Sequence, residues 1–222
     1  MTEVEVLAQH GWGFSAECWR DWRDLLPANF ALHCPDRGYF GPPCCETSSR
    51  FQIVITHSLG LHMVASECLQ AAELVVVLGG FAHFHADRAN LARRSRRTVD
   101  RMLARLQREP AALLGDFYAR CGIGGNSRLP GDLDVARLRA DLQCLQDSVL
   151  GIEGLAAAGH VLILHGDEDR IVPVERAEEL HEALGNSDRS IFPSAGHGLP
   201  ISHARECWQA IERAWRLQCA QR

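Results

Sequence analysis

The chain has 222 residues, 46% of them apolar and 23% charged, with a net charge of −5. That length suits one domain with a sizeable core, and the balance is that of an ordinary globular protein, which excludes disordered, collagen-like and coiled-coil chains. All 23 basic residues are arginine, so chemistry built on a lysine amine (Schiff bases, pyridoxal-phosphate anchoring, the phosphate-loop lysine) is excluded as well.

No apolar run approaches the length of a membrane span. The start, MTEVEVLAQH, is acidic, and its apolar stretch is too short for a secretory signal, so a cytoplasmic location is expected. Nine cysteines show no C-x-x-C spacing and are expected to be free thiols, mostly used as small buried residues. No cofactor, metal or nucleic acid is called for, and a monomer is expected.

In chain order, strands are predicted at Val4–Ala8, Phe30–Cys34, Phe51–Thr56, Leu74–Leu78, Val161–Leu164 and Arg189–Phe192. Several are continuously apolar, as strands covered on both faces are. Helical patterns lie between them at Cys18–Leu26, Gly60–Ala71, Pro173–Leu184 and Ala204–Leu217. Such alternation predicts an α/β fold with a mostly parallel sheet and helices on both faces. From Gly79 to about Gly159 there is no strand, only helical stretches punctuated by Pro110, Gly122, Gly124-Gly125 and Pro130-Gly131. This segment is expected to form a helical cap, inserted at about 82–150 into a single domain spanning 1–222.

The candidate chemistry lies at strand ends. In Thr56-His57-Ser58-Leu59-Gly60 an apolar strand runs through a serine into a helix, a corner that lifts Ser58 out of the sheet and aims the next N–H groups at the same spot. A serine needs a base, and His197, in Ser194-Ala195-Gly196-His197-Gly198, follows the last strand with glycines on both sides. The acid that orients it is expected in His165-Gly166-Asp167-Glu168-Asp169: Asp169, with Asp167 as its rival. In His10-Gly11-Trp12-Gly13, the Trp12 N–H is the expected first oxyanion donor and the Leu59 N–H the second, with the Trp12 indole walling the pocket.

The order Ser58, Asp169, His197 and the segments HGWG, THSLG, HGDEDRIVP and SAGH resemble the α/β-hydrolase superfamily. The chain starts at the strand before HGWG, so a trimmed sheet of roughly six strands is expected. More narrowly, His10 to Trp19, Arg97 to Arg101 and Phe192 to His203 resemble the esterases of biotin synthesis that cleave the methyl ester of pimeloyl-[acyl-carrier protein]. The resemblance implies Ser58 as nucleophile, His197 as base, Asp169 as orienting acid, and Trp12 and Leu59 as oxyanion donors. It also implies an acyl-carrier protein as partner, contacted by Arg97 and Arg101. Three positions depart from the pattern: Thr56 replaces the first glycine of the elbow, His57 a tryptophan, and Met102 an aromatic.

Charge supports the carrier independently. Between Asp87 and Glu109 there are eight arginines against three acids, an excess of +5 on an acidic chain. Arg93, Arg97, Arg101 and Arg105 recur every four residues and form a ridge, with Val99, Met102, Leu103 and Leu106 opposite. A merely solvated helix face is the alternative. Three rival functions remain: another carboxylesterase or thioesterase on the same triad, a non-catalytic ligand-binding scaffold, and a metal site at His83-Phe84-His85-Ala86-Asp87. Arg88 weighs against the last.

Overall fold

The computed structural model describes residues 3–45, 50–124 and 132–220. Six strands, β1 (Val4–Gln9), β2 (Phe30–His33), β3 (Ile53–His57), β4 (Leu74–Leu78), β5 (Val161–Gly166) and β6 (Ser187–Phe192), form one sheet in the order β2-β1-β3-β4-β5-β6. Every neighbouring pair is parallel. The register sets Gln9 beside Thr56, His57 beside Leu78, Leu78 beside Leu164 and Gly166 beside Phe192. The strands therefore finish along one edge, and the loops that follow them gather there.

Period-two alternation within each strand divides the core between the two faces. Val6, Ala8, Ile53, Ile55, Val76 and Leu164 face one side and Leu7, Val54, Val75, Val77 and Ile163 the other. The first face is covered by a 3₁₀ helix, Ala16–Asp24, and by a long C-terminal helix. The second is covered by α1 (Ser66–Ala71) and by a helix between β5 and β6. The segment expected as a regular helix at Cys18–Leu26 is this 3₁₀ turn. Three residues per turn set Trp19 and Trp22 on one buried face, their rings 5.1 Å apart edge to face. The expected helix Gly60–Ala71 is two pieces, a 3₁₀ turn at Ser58–His62 and then α1, because the chain changes direction after the elbow to bring Cys68 and Leu69 into the second core.

Between β4 and β5 lie α2 (Ala89–Leu106), α3 (Pro110–Arg120), α4 (Val135–Asp147) and the short α5 (Glu153–Ala156). The two ends of this insertion are tied together: His83 pairs with Val149 and the Leu150 N–H donates to the Ala82 carbonyl at 3.0 Å. Gly125, Pro130 and Gly131, read as breaks in the insertion, lie outside the described residues. After β5 come α6 (Glu175–Ala183), then β6, the one-turn α7 (Leu199–Ser202) and α8 (Ala204–Ala220). Among the described residues no helix is long and apolar enough to cross a membrane. The described cysteines are free thiols, but only Cys18, Cys68, Cys121 and Cys207 are buried; Cys44, Cys45, Cys144 and Cys219 are exposed, so the expectation of mostly buried thiols was too broad.

Candidate active site

β3 ends at His57 and the chain turns at once through Ser58, whose φ is +55°, in the left-handed region. A residue with a side chain is held there at a cost of about 1–3 kcal/mol, so the surrounding packing must impose it. Two glycines show how. A Cβ on Gly60 would lie 2.6 Å from the Gln9 carbonyl, and one on Gly11 would lie 2.7 Å from the His57 carbonyl and 2.9 Å from Ser58 Cβ. The end of β1 and the serine corner interlock with no room for a side chain at either position. Thr56, which stands where a glycine was expected, is buried with its hydroxyl donating to the Val76 carbonyl at 3.2 Å.

His197 and Asp169 meet as the sequence predicts: His197 Nδ1–H donates to Asp169 Oδ2 at 2.7 Å, with both side chains almost wholly out of solvent. The other oxygen of Asp169 accepts from the Ile171 and Val172 amides at 2.8 Å each. Burial opposes ionisation of Asp169, but His197, His165 and the Val172 amide outweigh it and hold its carboxyl below the ordinary range. Asp167 is exposed. His197 Nε2 is buried without a hydrogen-bond partner. Among the described residues no hydrogen bond joins it to Ser58. The Gly79-Gly80 turn after β4 touches both neighbourhoods: a Cβ on Gly79 would lie 3.3 Å from His197 Nδ1, and one on Gly80 would lie 3.6 Å from the Ser58 carbonyl.

Sequence reasoning missed the buried histidines around this pair. His165 Nε2–H donates to the Val172 carbonyl at 2.9 Å and lies 3.4 Å from Asp169 Oδ2; its spacing of four from Asp169 is the signal that could have marked it. His57 is fully buried, with Nε2 at 2.9 Å from the His197 carbonyl and its ring 4.9 Å from that of His197. Burial pushes its pKa down to about 3, with the neighbouring His197 adding to the effect. His10 is likewise lowered by burial and accepts at Nε2 from the Arg37 amide at 2.9 Å.

Trp12 follows the β1 end, next to the elbow. Its indole lies against α4, donating to the Leu138 carbonyl at 2.8 Å and meeting Phe117 edge to face at 5.0 Å. Leu59 is the second residue of the 3₁₀ turn, whose first N–H groups have no partner within the turn. A cleft of about 730 Å³ opens beside it, lined by Arg37, Leu59, His62 and Met63 and by Asp141 and Cys144 of α4, with neither Ser58 nor His197 in its lining. The volume suits a small-molecule site.

On α2, Val99 and Leu106 are buried and Met102 and Leu103 pack against the core, so the opposite face carries the arginines. Arg93, Arg97 and Arg101 are exposed. Arg105, the fourth member of the expected ridge, is instead paired with Asp116 and Glu109. His85 bonds Ser95 through Nδ1 at 2.7 Å and Gln146 through Nε2 at 3.0 Å, so neither nitrogen is open. His83 sits at the neck of the insertion.

A six-stranded parallel sheet carrying a strained serine at one strand end and a His–Asp pair at two others defines an α/β-hydrolase fold. Comparison with known proteins agrees. The chain superposes on an esterase from Thermogutta terrifontis with a TM-score of 0.76 at 18% identity, covering 98% of this chain and 91% of that one. For an esterase from Exiguobacterium antarcticum the TM-score is 0.77 at 18% identity, covering 96% and 92%. A family model described as TAP-like protein matches residues 145–215, from the end of α4 into α8. In sequence the chain resembles the pimeloyl-[acyl-carrier protein] methyl ester esterases. It is 27% identical to that of Cronobacter sakazakii over 91% of this chain and 89% of that protein, and 28% identical to that of Pectobacterium atrosepticum over 90% and 89%.

Proposed function

We propose that the chain is a serine carboxylesterase, with Ser58 as nucleophile, His197 as base and Asp169 as the acid that orients it. The observation that carries this reading is the His197–Asp169 bond at 2.7 Å with His197 Nε2 left unpartnered, next to a serine held in a strained strand-to-helix corner. In the reaction, Ser58 Oγ attacks the ester carbonyl carbon while His197 Nε2 takes its proton. The Trp12 and Leu59 N–H groups hold the oxyanion, each such donor being worth about 10²–10³ in rate. The tetrahedral intermediate collapses, the proton on Nε2 passes to the departing alkoxide, and the alcohol leaves. Water, deprotonated by the same nitrogen, then releases the acid from the acyl-enzyme. Asp169 stays ionised throughout and stabilises the imidazolium.

The finer reading is that the ester is the methyl ester of a pimeloyl chain on an acyl-carrier protein, hydrolysed in the cytoplasm for biotin synthesis. It is supported by the names of the similar esterases and by the exposed Arg97 and Arg101 of α2, whose guanidinium groups suit an acidic carrier. Hydrolysis of short carboxylic esters or thioesters on the same residues is the second reading, supported by the likeness of fold to solved esterases.

The test is Ser58→Ala assayed on methyl pimeloyl-carrier and on a short soluble ester, with a fluorophosphonate label on the wild type. Loss of turnover by at least about 10³-fold, an unchanged fold and labelling confined to Ser58 are expected. Activity within tenfold of wild type overturns the assignment.

A further inference from the structure

The peptide group that joins His197 to Gly198 is held at both ends. Its carbonyl accepts from His57 Nε2 at 2.9 Å, and its N–H donates to the Cys121 carbonyl at 2.8 Å. His57 is the residue before Ser58; Cys121 follows directly on cap helix α3. A peptide unit is planar and stiff, so two bonds at opposite ends set its orientation, and with it the direction in which the backbone carries the His197 ring.

The side-chain chemistry is unambiguous. A carbonyl only accepts, so Nε2 of His57 carries the proton and Nδ1 is bare. Nδ1 is buried and has no hydrogen-bond partner, so the ring's polar contact is made through one atom. Phe14 meets the His57 ring edge to face at 4.8 Å, the His197 ring lies 4.9 Å away, and the His57 ring is fully buried, so packed neighbours oppose a swing of the donor off its carbonyl. On the cap side the fit is equally close: a Cβ on Gly198 would lie 2.4 Å from Ile123, and one on Gly196 would lie 2.7 Å from the Cys121 carbonyl.

We infer that His57 is a positioning residue for His197, its Nε2–H fixing the backbone that aims the ring at Ser58. The role rests on the esterase reading above. It ties the residue next to the nucleophile to the base itself, and through Cys121 it ties both to the cap.

The experiment compares wild type, His57→Phe, His57→Gln and His57→Asn. Glutamine carries an N–H donor as far out as Nε2, asparagine only as far as Nδ1, and phenylalanine keeps the ring without a donor. Two readouts are taken: kcat and KM on a soluble methyl ester, and the low-field proton resonance of the His197 Nδ1–H bonded to Asp169, assigned by its loss in His197→Gln. For His57→Phe, kcat should fall about 10- to 100-fold, the scale of a misplaced catalytic group, with KM within about threefold. The resonance should broaden or vanish, and His57→Gln should recover both. Should the phenylalanine variant not fold, the glutamine–asparagine contrast carries the same decision: glutamine keeps kcat and the resonance, asparagine loses them. Unchanged kcat and an unchanged resonance in the phenylalanine or asparagine variant overturn the inference, as does a glutamine variant no better than phenylalanine. A wild type that neither hydrolyses esters nor labels at Ser58 defeats the esterase reading instead, and the resonance alone then judges the positioning role.

Discussion

Arg37 and Asp141 form a two-pronged ion pair across 104 residues, Nε to Oδ2 at 2.7 Å and Nη2 to Oδ1 at 2.6 Å. Tyr39 adds its hydroxyl to the same carboxylate at 2.7 Å. The pair joins the loop after β2 to α4 of the insertion, and both residues line the cleft beside Leu59. Asp141 is buried while Arg37 is half exposed.

Removing one partner therefore strands a buried carboxylate. Loss of a fully buried partner costs about 3–5 kcal/mol; with Arg37 half in solvent, the cost for Arg37→Ala is that of leaving the buried Asp141 carboxylate under-satisfied, about 1–3 kcal/mol. The double variant Arg37→Met/Asp141→Leu should recover much of that loss, because no unpaired charge is left. Urea unfolding measures both. A loss for Arg37→Ala below about 0.5 kcal/mol, the scatter of ordinary surface changes, would show that the pair does not hold α4 to the loop after β2.

Gly11→Ala tests the interlock at the elbow. Its Cβ meets the His57 carbonyl and Ser58 Cβ, both backbone-fixed, so the turn bearing the Trp12 N–H must back away. A displacement near 1 Å costs about 10²-fold in kcat, with a stability loss of about 1–3 kcal/mol from overpacking. Gly115→Ala on α3, where a Cβ meets nothing within 4 Å, is the control and should leave kcat unchanged. Equal effects from the two substitutions would rule out a steric origin.

Acid should destabilise the fold well above the usual carboxylate range. His57 titrates near 3 in the folded protein against 6.5 in the unfolded chain, so between those values the unfolded state binds the extra proton. Stability from this ring is complete above about pH 6.5 and declines as pH falls, by about 2 kcal/mol at pH 5. Burial lowers His10, His62 and His165 as well, with the same sign. The depressed carboxyl of Asp169 adds its loss only around pH 4 and below. The urea midpoint should fall between pH 7 and pH 5, and His57→Gln should flatten that slope. Coincident midpoints at the two pH values would contradict neutral burial of these rings.

Arg97→Glu/Arg101→Glu addresses the carrier. Both guanidinium groups are exposed on α2, so reversal should leave the fold and a short soluble ester untouched. The kcat/KM on carrier-bound ester should drop about tenfold or more at low salt, with the difference shrinking as salt screens the charges. Equal losses on both substrates would assign these arginines no docking role.

How much of this was legible beforehand varies residue by residue. Strands β3, β4 and β5 were readable because each is a short apolar run bounded by turn residues, whereas β6 is apolar only at Ile191 and Phe192 and was read from its place after the helix. The pairing of Asp169 with His197 was readable because parallel strands must all finish on one edge, so residues just past strand ends 28 positions apart meet there. Asp169 was preferred to Asp167 from its place just past the strand end, and it is the Asp169 carboxyl that turns inward to His197. The pairing of Arg105, fourth member of the arginine ridge, was not readable: it follows the helical spacing, but Asp116 on α3 captures it. Periodicity reports which face a residue occupies, not what lies across from it.

The sequence alone determined the layered α/β architecture, the strand-end placement of Ser58, Asp169 and His197, and the absence of lysine chemistry, because these follow from local patterning and composition. Tertiary structure alone decided the Trp12 indole's place against α4, the Arg37–Asp141–Tyr39 cluster, and the hold of His57 and Cys121 on the His197 peptide. Each of these joins groups 100 or more residues apart, or meets a partner that has no sequence signature. A backbone carbonyl is the same in every residue, so only its position in the fold makes it a partner.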